Sequence, residues 1–230
     1  MAFKFGGKTT TDGLVLYLDA ANSRSYPGSG NTWYDLSKYG NDLTLSGSTP
    51  PIYSTNYNGS FNFNGSSSYA TSQTKSSLSS TLSTVIVACT YKQVLAYGDS
   101  IVVKGQGGSG YNYGIANIRN NTFDAVNTSC ANLAPTSSTW NTSSINIYAA
   151  TWAGTYNEYY ANGIYLGTNS TCYSPQLISS PVTVGASPAF LAGFTGYYSG
   201  SLSIVQIYNR ALSSDEIIQN YNTLKPRFGL

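Results

Sequence analysis

Gly200-Ser-Leu-Ser-Ile-Val-Gln-Ile-Tyr-Asn-Arg-Ala-Leu-Ser-Ser-Asp-Glu-Ile-Ile218 reads as a strand that runs straight into a capped helix. From Leu202 to Tyr208 apolar residues fall in both alternating sets: Leu202, Ile204 and Tyr208 in one, Val205 and Ile207 in the other. Successive side chains of a strand point to opposite faces, so this strand is expected between two packed layers. Ser213, with Glu216 three residues on, has the pattern of a capping box. Leu212 and Ile217 stand where a hydrophobic staple closes. The helix is predicted from Ser213 to about Leu224, with Pro226 as its stop.

Outward from this stretch, short apolar runs alternate with turn residues along the rest of the chain. Gly13 to Ala20 sets Leu14, Leu16 and Leu18 against Val15, Tyr17 and Asp19. Thr84-Val-Ile-Val-Ala88 and Ile145 to Trp152 read as further strands, and Val182-Thr-Val-Gly185 as another. Asn162-Gly163 lies between two aromatic-rich runs and predicts a tight hairpin, because both residues tolerate positive φ. Trp33 and Leu36 are expected to cover one end of the core. Cys89 continues the alternation of Val85 and Val87 and reads as a buried, inert thiol. Cys130 and Cys172 sit in polar stretches and are left either free or paired. The organisation that follows is an N-terminal arm at 1–12, one β domain at 13–224 and a short tail at 225–230.

Composition narrows the functional classes. Only 9% of the 230 residues are charged, against about 25% in typical soluble proteins. Ser, Thr, Asn and Tyr must supply the polar surface, which suits sugar hydroxyls or close packing with neighbouring subunits. The net charge is +2 with no basic cluster, so no nucleic-acid footprint is present. No apolar run approaches the ~20 residues that span a bilayer. Met1-Ala-Phe-Lys-Phe-Gly-Gly-Lys8 lacks the apolar core of a secretory signal, so a route without secretion is expected. With no histidine, Ser-His-Asp and Cys-His catalysis are excluded. The cysteine spacings do not match a zinc site.

The closing Ile207-Tyr-Asn-Arg-Ala-Leu-Ser213 resembles the end of the last strand in laminin G-like, concanavalin A-like sandwich domains. Phe61-Asn-Phe-Asn-Gly65 with Tyr69 resembles that family's early strand pair. Thr84 to Ala88 is similar to its central strand, and Tyr160-Ala-Asn-Gly-Ile164 to its hairpin. These matches run in order over about residues 13 to 224. They imply an all-β fold, an antiparallel jelly-roll β-sandwich of the concanavalin A-like type with a short C-terminal helix. They do not select a function, since one sandwich carries many.

Candidate chemistry is sparse. A glycosidase needs two carboxylates flanking the bond. The chain has only Glu158 and Glu216 as glutamates, and the second is expected in the helix cap. No catalytic residue, cofactor or metal is therefore expected. The family resemblance implies acidic residues near Asn64 to Tyr69 and after Leu202, where calcium would bind; here Asn64, Ser66 to Ser68, Ser203 and Ile204 stand there. Asp99 and Asp124 are left as ligand candidates, although isolated loop aspartates more often form turns. For sugar binding, Tyr111, Tyr113, Tyr156 and Trp152 are candidate faces and Arg119 and Asn157 candidate donors.

Asp12-Gly-Leu-Val-Leu-Tyr-Leu-Asp-Ala-Ala-Asn22, Ser25 to Gly30, Thr32-Trp-Tyr-Asp-Leu-Ser37 and the closing Gln219 to Asn222 and Arg227 to Leu230 resemble structural proteins of tailed bacteriophages. That resemblance implies a non-enzymatic virion surface protein, in capsid or tail, assembled in the host cytoplasm. Its partners would be other virion proteins in a homo-oligomeric, symmetric array, with host-surface glycans as a further contact. The alternatives are a free carbohydrate-binding module or lectin and, third, a glycoside hydrolase. Assembly contacts are expected at Phe3 and Phe5 of the arm and at Arg227 and Phe228 of the tail.

Overall fold

All side chains from Ser83 to Thr90, from Ile145 to Trp152 and from Leu202 to Tyr208 are buried. Three such strands belong in the middle of a layered structure. The computed structural model describes residues 7–90, 100–106, 110–119, 122–127, 130–133, 144–170, 177–187 and 196–230. In chain order its strands are β1 (Leu14–Asp19), β2 (Thr32–Trp33), β3 (Leu43–Ser46), β4 (Ile52–Ser54), β5 (Ser60–Asn64), β6 (Tyr69–Ser72), β7 (Ser83–Thr90) and β8 (Ser100–Gln106). They continue with β9 (Gly110–Arg119), β10 (Thr122–Asn127), β11 (Cys130–Leu133), β12 (Ile145–Trp152), β13 (Asn157–Ala161), β14 (Ile164–Asn169), β15 (Val182–Val184) and β16 (Ser199–Tyr208). Helix α1 (Ser214–Phe228) closes the chain.

The strands form two antiparallel sheets packed as a sandwich. The first runs β14-β13-β12-β7-β16-β5-β4, with β1 also paired to β16; the second runs β11-β10-β9-β8-β15-β6-β3-β2. The two ends of the chain meet in the first sheet, because β1 pairs with Ile204 to Tyr208. On the same edge of β16, β5 takes Ser199 to Leu202. β5 and β6, adjacent in sequence, lie in opposite sheets. Asn162 and Gly163 both have positive φ, 49° and 75°, and close the β13–β14 hairpin as expected.

The face assignment along β16 differs from simple alternation. Leu202 pairs with Cys89 and Ile204 with Ala88, a register shift that marks a bulge at Ser203. The extra residue resets the phase. Leu202 therefore joins Val205 and Ile207 in the core between the sheets. Ile204 and Tyr208 face the other way, into a second cluster with Ile86, Ile147, Leu212, Ile217 and Leu224. That cluster lies under α1, so the molecule has a third layer.

The predicted capping box is present: Ser213 Oγ accepts the Glu216 N–H at 3.3 Å and Glu216 Oε2 accepts the Ser213 N–H at 2.9 Å. Leu212 and Ile217 are both buried in the outer cluster, as a staple requires. Arg210 grips the same carboxylate with two guanidinium nitrogens and reaches Asp12 with Nε at 2.8 Å. Thr84 Oγ1 donates to the Arg210 carbonyl at 3.0 Å and accepts the Leu212 N–H at 2.9 Å.

Pro226 does not stop the helix, which runs to Phe228 and ends at Gly229 in the left-handed region, φ 69°. Proline in the last turn removes one N–H donor. Against that loss, Arg227 pairs with Asp19 and donates to the carbonyls of Tyr57 and Gly59, and Phe228 packs on the outer cluster. The segment read as a free tail is thus mostly the last helical turn. The arm is also not free along its described length. Thr10 donates its N–H to Asn220 Oδ1 at 2.7 Å and accepts from the Tyr208 hydroxyl at 2.9 Å. Gln219 Nε2 donates to the Lys8 carbonyl at 2.7 Å. Phe3 and Phe5 lie outside the described residues.

Hydrogen bonds from Arg210 hold the Glu216 carboxyl down to about 2, against an ordinary 4.5. A carboxyl lowered on folding stabilises above its unfolded value, and that stability is lost as pH falls through the folded one. Denaturant titrations should show stability falling from about pH 4.5 towards pH 2, and Glu216→Gln should flatten this fall. Ser213→Ala should cost about 1 kcal/mol at neutral pH; no change would mean that the cap contributes nothing.

Candidate functional site

The site is built on the outer face of the second sheet. Leu43 and Leu45 of β3 and Ala70 of β6 point into the core. Strand alternation then sends Thr44 and Thr71 outward. The register sets Thr44 beside Thr71, Thr71 beside Thr183 and Thr183 beside Val103, a row across four strands. Val103 is covered, forming a small buried cluster with Ala116, whereas Thr44 is exposed and Thr71 half-buried. The open part of the face is therefore its β3–β6 end.

A cleft of about 350 Å³ lies there, lined by Gly40, Asp42, Thr44, Thr71, Ser72, Gln73 and Lys75. Most of its lining residues bear polar side chains, although nearly half of the exposed lining is apolar. Lys75 Nζ donates to the Gly40 carbonyl, which fixes the ammonium at the rim. Asp42 Oδ1 accepts the Asp35 N–H at 2.8 Å, and one carboxylate oxygen can hold only part of its acceptor capacity that way. Ser72 Oγ accepts the Val182 N–H at 3.0 Å and donates to the Gln73 carbonyl at 2.8 Å. The cleft thus combines hydroxyl, amide, carboxylate and ammonium groups at the β3–β6 end of the sheet. None of these residues was a candidate in the sequence. The readable signal was the polar alternate set Thr44, Ser46, Tyr69 and Thr71, flanked by the acid at 42 and the base at 75.

The structure brings Tyr113, Trp152 and Asn157 together inside the sandwich and not on a surface. Tyr113 and Trp152 are buried in the core with ring centroids 6.2 Å apart, and the Tyr113 hydroxyl donates to the Leu78 carbonyl at 2.6 Å. Asn157 is buried where β13 begins. Tyr156, in the turn before it, is exposed. Tyr111 and Arg119 belong to the backbone of β9 at its opposite ends, and their side chains lie outside the described residues. Phe3 and Phe5 do so entirely. Arg227 and Phe228 are engaged within the chain, as above.

Other polar groups are accounted for locally. Asn64 Oδ1 accepts N–H groups from Ser66, Ser67 and Ser68 at 2.9–3.1 Å, so the loop where the family resemblance implied a metal is closed on its own amide. Among the described residues no three His, Cys, Asp or Glu side chains cluster as a metal site. Glu158 Oε2 accepts the Tyr160 hydroxyl at 3.1 Å. Cys89 is fully buried and its thiol is pushed up to about 12 by desolvation, as an inert core cysteine requires. Cys130 lies on β11 with its side chain outside the described residues, as is all of Cys172, and so do the carboxylates of Asp99 and Asp124. Lys104 is fully buried, its Nζ donating to the Ser180 carbonyl, and burial lowers its amine to about 8.

With that geometry in hand, the chain can be compared with known proteins. A family model described as the concanavalin A-like lectin/glucanases superfamily matches residues 63–218. No curated protein sequence matches the chain. Among solved structures it is similar to domain 4 of an extracellular arabinanase from Geobacillus stearothermophilus in complex with arabinotriose. The TM-score is 0.72 at 12% identity, covering 92% of this chain and 100% of that domain. It is also similar to Trypanosoma rangeli sialidase in complex with the inhibitor DANA, with a TM-score of 0.66 at 19% identity, over 96% of this chain and 34% of that one. The chain thus spans about a third of the length of the sialidase structures it matches. The binding domain of Paraclostridial mosquitocidal protein 1 matches with a TM-score of 0.66 at 15% identity, over 92% of this chain and 52% of that one. At these identities the likeness concerns fold.

The buried amine carries a testable consequence. A lysine lowered on folding makes stability rise with pH between its folded and unfolded values. Stability should therefore rise from pH 8 towards 10 through Lys104. Lys104→Met should fold and should abolish that rise in chemical denaturation; an unchanged pH profile would show that Lys104 is not desolvated.

Proposed function

The chain belongs to the concanavalin A-like lectin/glucanases superfamily, and from that premise we propose that it is a non-catalytic glycan-binding module. Its ligand lies in the cleft of Asp42, Thr44, Thr71, Gln73 and Lys75. The observation that carries this reading is the lining itself: uncharged and charged hydrogen-bonding groups side by side on one sheet face, of the kinds that pair with sugar hydroxyls. Asp42 and Gln73 accept and orient hydroxyls, Thr44 and Thr71 donate or accept, and Lys75 donates from the rim. Opposite charges at Asp42 and Lys75 favour a neutral glycan over a polyanion.

The module is proposed to lack hydrolytic activity because Asp42 is the one carboxylate among the residues that line the cleft, and three others are employed in the fold. Glu216 serves the helix cap and Arg210, Asp19 holds Arg227, and Asp35 accepts the N–H groups of Tyr17, Ser37 and Asn41. A hydrolytic pair would need one protonated and one ionised carboxyl across a shared bond.

A second reading puts the same module on the surface of a tailed-phage virion, where it would meet host glycans as part of a homo-oligomeric array. One observation favours it. The phage-like opening and closing blocks are joined in space by the Asp19–Arg227 pair, so the resemblance falls on one structural unit. Imaging of purified particles with labelled protein tests that location.

Isothermal titration against arabinotriose and a panel of neutral oligosaccharides tests the main reading. Asp42→Ala and Gln73→Ala should each weaken binding by about tenfold, the loss of roughly one hydrogen bond to a charged or amide group. No reducing ends should be released from any of these glycans, and Glu158→Gln should change nothing. Binding that survives both cleft variants would place the ligand elsewhere.

A further inference from the structure

We propose that Tyr34 is the stacking platform of the cleft and that it selects a hexopyranose with one uninterrupted C–H face; this rests on the glycan-binding reading above. Trp33 pairs with Leu43, and both point into the core. One residue further along that register, Tyr34 comes opposite Asp42. The Asp35 N–H donates to Asp42 Oδ1 at 2.8 Å, which ties the two segments at this point. Strand alternation sends Tyr34 and Asp42 to the outer face, where Tyr34 is 43% exposed and Asp42 is exposed as well. On the other side Leu43 pairs with Ser72, so the next step sets Asp42 beside Gln73, also exposed. Tyr34, Asp42 and Gln73 thus form a row across three strands, next to the row of Thr32, Thr44 and Thr71.

The side chains of these rows differ in height. Side chains stand roughly perpendicular to a sheet, and Asp and Thr are short where Tyr and Gln are long. Asp42, Thr44 and Thr71 therefore floor a notch, with Tyr34 as one wall and Gln73 as the other. Two strand spacings separate the walls, about 10 Å. A sugar ring standing on its edge fits between them, whereas a helix of about 10–12 Å across does not. The wall is also held in place. The Tyr34 N–H donates to the Ser25 carbonyl at 2.7 Å, and the Tyr34 carbonyl accepts the Ser25 hydroxyl at 2.6 Å. An exposed ring on a pinned backbone loses little freedom when a ligand lands on it. Tyr39, the other exposed ring of this loop, already carries Lys38 Nζ at 5.4 Å.

The notch offers two unlike surfaces, and a pyranose has the same two. Its C–H face matches the Tyr34 ring, an apolar body at the edge of the site. Its hydroxyl edge matches the Asp42 carboxylate, which accepts, and the Gln73 amide, which does both. The partly apolar lining of the cleft suits such a two-sided unit better than an ion or an open-chain polyol. A furanose ring is puckered and its substituents interrupt both faces, so it covers less of the tyrosine.

Titration calorimetry on the full chain with cellotriose, β-1,4-galactotriose and arabinotriose tests this. At least one of the two pyranose trisaccharides should bind more tightly than arabinotriose. Tyr34→Ala should weaken that binding about tenfold or more, with circular dichroism checking the fold, and Tyr34→Phe should leave it nearly unchanged. Tyr34→Trp adds a direct readout: its emission should shift to the blue on saturation with the preferred sugar, beyond any change in the parent chain. If Tyr34→Ala does not fold, that emission decides the matter. Binding lost in Asp42→Ala yet unchanged in Tyr34→Ala would leave the glycan reading standing and overturn the role of Tyr34. So would an emission indifferent to the bound sugar, or arabinotriose bound as tightly as both pyranoses. Heat from none of the three sugars would overturn the glycan reading and this proposal together.

Discussion

A strand with two apolar faces must be covered twice, and β16 imposes that requirement on the whole molecule. Its inner residues, Leu202, Val205 and Ile207, are covered by the second sheet. Its outer residues, Ile204 and Tyr208, join Ile86 and Ile147 in a surface that only another element can close. Fully burying one large apolar side chain contributes roughly 1.5–3 kcal/mol, whereas the helix cap contributes about 1. Burial therefore holds α1 on the sheet. The polar bonds decide where on the sheet it lies.

Those polar bonds are economical because each group serves more than one partner. Glu216 closes the capping box and receives Arg210, which also reaches Asp12. Asn220, fully buried, accepts from the Thr10 amide and donates to the Tyr208 hydroxyl, which in turn donates to Thr10. The result ties the first described residues, the last strand and the helix into one unit. Solvent screening limits the worth of the partly exposed Arg210 pairs; the buried Asn220–Tyr208–Thr10 set is the costlier one to break.

The fold was largely legible because its signals are local. Apolar runs, the Asn162-Gly163 turn and the Ser213–Glu216 box each need only a few neighbouring residues. What escaped depends on distant parts of the chain. The bulge at Ser203 shifts Leu202 to the inner face, and nothing in the alternation announces it. Pro226 reads as a stop until Arg227 finds Asp19 and Phe228 finds the outer cluster. Tyr113 and Trp152 look like sugar platforms in a tyrosine-rich chain, yet a sandwich end needs large rings to fill it. The cleft went unread because it joins residues from 40 to 44 with residues from 71 to 75, and its threonines resemble any polar strand face.

The two sides of the molecule are unequal. The first described residues and the end of α1 both lie on the helix layer, against the first sheet. The cleft opens on the far side, on the outer face of the second sheet. Gly7 and Leu230 thus both sit at the back of the sandwich, and the cleft faces the opposite way, as a palm faces away from the back of its hand.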